Sequence, residues 1–207
     1  MKKGLFWLVL LGIMLTITYM IFSGLSSTRT RLRDIREDSV IVAFGDSITY
    51  GTGADRGRSY PAILAELLGT MVINEGSPGE EISRGMERLS RVLDKHSPQL
   101  LILCEGGNDI LRGRPERDIE SGLRKMLEML VGRGVDVILI GVPALDITLQ
   151  PPVLYKDLAR EFNIPYEGEI LRKVLSKGYL KSDQIHPNAA GYKLLAEAVA
   201  KLIERSQ

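Results

Sequence analysis

Three short polar clusters in this chain hold the residue types needed for nucleophilic hydrolysis. Gly45-Asp46-Ser47 follows the apolar run 40–44, and Gly106-Gly107-Asn108-Asp109 follows the apolar run 100–104. Asp183-Gln184-Ile185-His186-Pro187 lies near the other end of the chain. A serine hydroxyl is a weak nucleophile until a base within hydrogen-bond reach takes its proton. Histidine serves as that base when a carboxylate fixes its tautomer and steadies the imidazolium that forms. Asp183 stands three residues before His186, so one loop can hold both side chains together. Asn108 offers an amide N–H to a developing oxyanion. A second donor is expected from the backbone N–H of Gly79, since glycine permits close approach of substrate to backbone.

Each residue also has a plainer explanation. Ser47 after a strand could cap the next helix, and Gly-Gly-Asn-Asp is good turn chemistry. Asn188 explains itself as a helix cap, but that leaves Asp183 and His186 unaccounted for. His96, the other histidine, ends a helical pattern just before Pro98 and suits the negative end of a helix dipole. Asp46 and Asp109 are expected to shape the turns that present Ser47 and Asn108. Cys104 sits within an apolar run and is expected to be a core thiol with a raised pKa.

Other chemistries fail on composition or spacing. The glycine-rich stretch 51–57 has Arg56 where a dinucleotide fingerprint needs its third glycine, and no Gly-Lys-Ser/Thr follows a glycine-rich loop. One cysteine allows no intramolecular disulfide, and two histidines with one cysteine are too few for a structural zinc site. No metal or organic cofactor is expected. Lys+Arg 27 against Asp+Glu 26 lacks the basic excess that nucleic acid would require.

These clusters need a scaffold. Apolar runs of strand length fall at 40–44, 71–74, 100–104 and 135–140, with a short fifth near 164–166. Nearly continuous apolar runs are expected for parallel strands covered on both faces. Between them, Ile82, Met86, Leu89 and Leu93 recur at helical spacing, as do Ile119, Leu123, Met126, Leu127 and Leu130. A last helix carries Tyr192, Leu195, Ala196, Val199, Leu202 and Ile203 on one face. Alternation of strand and helix predicts a three-layer α/β/α, flavodoxin-like domain over residues 39–207, with a central five-stranded parallel sheet. In such a fold ligands bind at the carboxyl ends of the strands, where Ser47, Gly79 and Asn108 would gather.

The amino terminus is different. Gly4 to Leu25 is a 22-residue stretch without charge, long enough to cross a bilayer as a helix. We read residues 1–25 as an uncleaved signal anchor, with cleavage near Gly24-Leu25-Ser26 as the alternative that would release the protein. Residues 26–38 read as a juxtamembrane linker. Arg29, Arg31, Arg33 and Arg36 after the span favour a cytoplasmic domain by the positive-inside rule. The layout Met1-Lys2-Lys3 before an apolar run is that of an export signal, and it makes an extracytoplasmic domain the expected topology.

The four blocks taken together resemble the SGNH hydrolases, also called GDSL lipases/esterases. Gly45-Asp46-Ser47-Ile48 is similar to the nucleophile block, Gly79 to the glycine of the second, Gly106-Gly107-Asn108-Asp109 to the third, and 183–187 to the last. Gly106 to Gly113 is similar to the third block and its continuation in the bacterial acyl-CoA thioesterase/protease/lysophospholipase branch. The resemblance implies Ser47 as nucleophile, His186 as base, Asp183 as its partner, and an oxyanion hole from the Ser47 and Gly79 N–H groups and the Asn108 side chain. Pro78-Gly79-Glu80-Glu81 departs from the Ser-Gly-Asp-Thr-like stretch common in that branch, and Ile48 replaces the commoner leucine. The implied activity is hydrolysis of acyl esters or thioesters, with a lipid-derived substrate first. Deacetylation of a cell-envelope glycan is the alternative, and a non-catalytic membrane-tethered binding module the third reading. A long apolar channel would favour the first, and exposed aromatics beside the cleft the second.

Overall fold

The computed structural model describes residues 31–207 apart from Arg56 and Leu145, so the expected span at 4–25 lies outside the described residues. Among the described residues no helix is long and apolar enough to cross a membrane. They form five strands, β1 Val40–Gly45, β2 Met71–Gly76, β3 Leu100–Cys104, β4 Asp136–Ile140 and β5 Tyr166–Glu167. Eight α-helices accompany them: α1 Ser47–Tyr50, α2 Tyr60–Leu68, α3 Ile82–His96, α4 Gly107–Leu111, α5 Glu116–Gly132, α6 Val153–Glu161, α7 Ile170–Leu175 and α8 Ala189–Ser206.

The sheet is wholly parallel, with strand order β2-β1-β3-β4-β5. This is the flavodoxin-like order, whose switch point lies between β1 and β3. The central strands β1 and β3 are almost entirely buried, as their unbroken apolar runs require. At the edge, β2 is different: Met71 is exposed, and Val72 and Ile73 are half-buried. Its apolar run therefore does not mark a strand covered on both faces, because an edge strand lacks a neighbour. Both β1 and β2 also run further than their apolar residues, ending at Gly45 and Gly76, which pair with each other. The fifth strand is only two residues long and begins at Tyr166 instead of Ile164.

Helices cover both faces. On one, α2 and α7 pack against α8; on the other, α5 packs between α3 and α6. The helix ends follow local chemistry. Lys95 and His96 occupy the last turn of α3, and Ser97 closes it in a left-handed conformation with its N–H donating to Leu93 O. Glu116 and Asp118 occupy the first turn of α5. The Asn188 side chain accepts from Ala190 N and Gly191 N to cap α8. Helices α2, α6 and α7 were not evident from periodicity, being nine residues or fewer with proline opening two of them.

Of the stretch read from sequence as a linker, residues 32–38 lie against this domain. Leu32 is buried and its N–H donates to Ser206 O at 2.6 Å. The Arg33 side chain donates to Asp136 Oδ2, Gln99 O and Gly134 O.

Gly45, the last residue of β1, is tightly packed beneath the loops. A Cβ there would stand 2.2 Å from Cys104 O and 2.4 Å from Thr49 Oγ1. Gly45→Ala should therefore destabilise the fold by about 1–3 kcal/mol, the usual scale for overpacking. Urea unfolding measures it, and a midpoint equal to wild type would show that the strand end tolerates the methyl group.

Candidate active site

The carboxyl edge of the sheet collects the three polar clusters. Ser47 opens α1 directly after β1, presented by Asp46, whose Oδ1 accepts from Ile48 N at 3.0 Å. His186 and Asp183 come from the loop before α8. His186 Nε2 lies 2.9 Å from Ser47 Oγ, and Nδ1 lies 2.7 Å from Asp183 Oδ2. The other Asp183 oxygen accepts from the backbone N–H groups of Ile185 and His186, both at 2.8 Å. Burial works to raise the Asp183 pKa, but these hydrogen bonds from His186 and the two N–H groups outweigh it and hold the carboxyl below its ordinary range. An ionised carboxylate only accepts, so Nδ1 carries the imidazole proton and Nε2 is left to accept from the serine hydroxyl. That is the arrangement in which a serine can lose its proton to histidine.

Asn108 stands on α4 after β3, at the neighbouring strand end. Its Nδ2 donates to Glu80 O at 2.9 Å and to Asp46 Oδ2 at 3.2 Å, so both amide hydrogens are engaged. Gly79 sits in the turn Ser77-Pro78-Gly79-Glu80, with Glu80 N donating to Ser77 O and a φ of 78° at Gly79. Proline second and glycine third are what a type II turn requires. Asn108, Asp46 and Glu80 are thus joined directly, and Ser47, His186 and Asn108 line one recess.

Two expectations about neighbouring residues are observed. Cys104 is fully buried in β3, and burial pushes its thiol well up. Asp46 and Asp109 have structural bonds, Asp109 Oδ2 accepting from Ile82 N at 3.0 Å at the start of α3. His96 ends α3 as expected, but its ring also meets Glu75 Oε1 at 2.7 Å.

What sequence reasoning missed is the layer of charge under the recess. Asp46, Glu80, Glu105 and Asp109 are all buried. Arg88 reaches this layer from α3, donating to both oxygens of Glu80. Burial raises Asp46 from its ordinary 3.8 to about 6 and pushes Glu105 well up. Glu105 Oε1 has no hydrogen-bond partner among the described residues. Glu80 and Glu105 are ordinary acidic residues by type, and no local pattern marks them as buried. Among the described residues no group of three or more His, Cys, Asp or Glu side chains is placed to hold a metal ion.

The class to which this fold and edge belong is that of the acyl hydrolases built on a flavodoxin-like sheet, and comparison with known proteins agrees. The chain belongs to the GDSL-like Lipase/Acylhydrolase family, whose description matches residues 43–194. It is 28% identical over 178 residues to an arylesterase of Vibrio mimicus, covering 78% of this chain and 86% of that protein. It is also 28% identical over 172 residues to thioesterase 1/protease 1/lysophospholipase L1 of Escherichia coli (strain K12), covering 79% and 83%. Among solved structures, AlinE4, an SGNH-hydrolase family esterase, superposes with a TM-score of 0.63 at 30% identity, covering 83% of this chain and 98% of that one. The protein is an esterase of this family.

Asp46 and Asp183 should act oppositely on stability. A carboxyl with a raised folded pKa holds its proton more tightly when folded, so stability falls as pH rises from 3.8 to about 6 through the Asp46 window. Asp183, held low, contributes stability above its unfolded pKa that is lost only as pH falls through its folded one. Asp46→Asn should remove the first slope, so that variant stability minus wild-type stability increases between pH 3.8 and about 6. Urea unfolding across that interval reads this directly, and parallel curves would mean Asp46 titrates normally.

Proposed function

We propose that this esterase acts by acyl transfer to water through an acyl-enzyme on Ser47. The observation that carries this reading is the continuous hydrogen-bond chain Ser47–His186–Asp183 opening into the recess. His186 Nε2 takes the hydroxyl proton as Oγ attacks the ester or thioester carbonyl. The carbonyl oxygen becomes an oxyanion, which accepts from the Ser47 N–H, the Gly79 N–H and the Asn108 amide. Donation by Asn108 requires it to share or release one present partner, and the longer contact, to Asp46, is the one that yields. Collapse breaks the bond to the leaving alcohol or thiol, which takes the proton from His186. Water then repeats both steps and releases the carboxylic acid.

The substrate class follows from the walls of the recess. Ile48, Ile110, Leu111, Val142, Leu175 and Ile185 line it beside Ser47 and His186, and among the described residues no aromatic side chain does. Such aliphatic walls suit an aliphatic acyl chain better than a sugar ring that would stack on aromatics. A fatty-acyl ester or thioester, lysophospholipid first, is therefore the proposed substrate. The uncharged run 4–25 would keep such a domain at a membrane, outside the cytoplasm.

Full-length protein in detergent should hydrolyse p-nitrophenyl esters with a maximum at medium or long acyl chains, and Ser47→Ala should abolish the reaction and labelling by a fluorophosphonate. Activity confined to the acetyl ester would move the assignment to deacetylation. Wild-type protein without turnover or labelling would favour a binding module. Asn108→Ala should lower kcat on the order of 10²–10³, the scale of a lost oxyanion donor. An unchanged kcat would remove Asn108 from the mechanism.

A further inference from the structure

We infer that Arg88 is a positioning residue for the esterase reaction, acting through Glu80 on the Gly79–Asn108 side of the recess. The inference rests on the reading of Gly79 and Asn108 as oxyanion donors. Glu80 is the point at which those two donors meet. Its carbonyl accepts from Asn108 Nδ2 at 2.9 Å, and its own N–H closes the turn that carries Gly79. Whatever fixes Glu80 fixes both donors.

Arg88 is that fixture. Its Nε donates to Glu80 Oε1 and Oε2 at 3.1 and 3.0 Å, and its Nη2 to Oε1 at 2.5 Å. Its Nη1 donates to Glu75 Oε2 at 3.3 Å, and the guanidinium carbon sits 4.0 Å from the centre of the Phe44 ring. The planar fork thus joins three elements at once: the turn 77–80, the end of β2, and the residue of β1 just before Gly45. Glu75 is itself held by His96 and by Lys95 at 3.6 Å. The pair is sheltered, with side-chain exposures of 19% for Arg88 and 6% for Glu80. Fork geometry matters here, because a lysine ammonium cannot grip two carboxylates and stack on an aromatic face together.

The charge around Glu80 makes the grip necessary. Asp46, Glu105 and Asp109 are buried in the same layer, and Glu105 Oε1 and Glu80 Oε1 would lie 3.3 and 3.5 Å from a Cβ placed on Gly85. Without Arg88 the buried Glu80 carboxylate would lose the cation beside it, and repulsion from Asp46 once that group ionises above about 6, together with the draw of solvent, would swing it outward and take its backbone with it. The recess would keep Ser47, His186 and Asp183, but the oxyanion donors would lose their placement.

The test uses full-length protein in detergent and the p-nitrophenyl ester that wild type turns over fastest. Arg88→Met should lower kcat about 10- to 100-fold, the scale of an ångström-sized misplacement, with little change in KM. Arg88→Lys should recover part of the loss. In an Asn108→Ala background, Arg88→Met should lower kcat little further, since both act on one set of donors. A folded Arg88→Met protein with wild-type kcat, or losses that multiply fully in the double variant, would overturn the inference. Where Arg88→Met gives no cooperative melt, Arg88→Lys and Glu80→Gln decide, and wild-type kcat in both overturns it. Normal kcat in Asn108→Ala alone would defeat the underlying reading and this inference together. A loss there with none in the Arg88 variants defeats only the inference.

Discussion

The Asp46 carboxylate joins the turn after β1 to the turn after β3. One oxygen accepts from Ile48 N, which shapes the backbone that raises Ser47, and the other accepts from the Asn108 amide on the neighbouring strand end. Such a bridge is possible only because β1 and β3 are adjacent and parallel, so their carboxyl ends lie side by side. The approach is so close that a Cβ on Gly107 would stand 2.8 Å from Asp46 Oδ2. A glycine at 107 is therefore a packing requirement of the bridge and not merely turn chemistry. The His186 loop comes to the same place from the far end of the chain, carried by the packing of α8 on α2.

Holding a carboxylate in that position is expensive in solvation. Asp46 is almost fully buried and retains its proton up to about 6, and Glu105 is pushed further by complete burial. Buried carboxyls persist when they are hydrogen-bonded or can stay neutral. Asp46 meets the first condition through Ile48 and Asn108, Glu80 meets it through Arg88, and Glu105 meets the second. Asp183 lies at the opposite limit, half-exposed and bonded by three donors from its own loop, so it remains ionised beside His186. Asp46 and Asp183 thus have opposite pKa directions, one set by burial and the other by hydrogen bonding.

Much of this was legible in local sequence because the signals are local. Continuous apolar runs announced β1, β3 and β4, and four-three-four spacing announced α3, α5 and α8. The turn after β1, the Gly-Gly-Asn-Asp segment and the Asp-x-x-His loop were visible because turns and short loops are encoded by neighbouring residues. Misreadings came where an element's character depends on its neighbours. The β2 run is apolar yet lies at a sheet edge, and β5 is too short to have a period.

The sequence by itself determined the fold class, the order of the elements and the residue types brought to the carboxyl edge, since periodicity and turn chemistry act over a few residues. Only the tertiary structure decided that Ser47 and His186, 139 positions apart, stand 2.9 Å from each other. It alone decided that Glu75 and Glu80, ordinary charges on paper, share Arg88 and that Glu105 is fully buried. Burial and charge pairing are properties of neighbours in space, and a residue's neighbours along the chain carry no record of them.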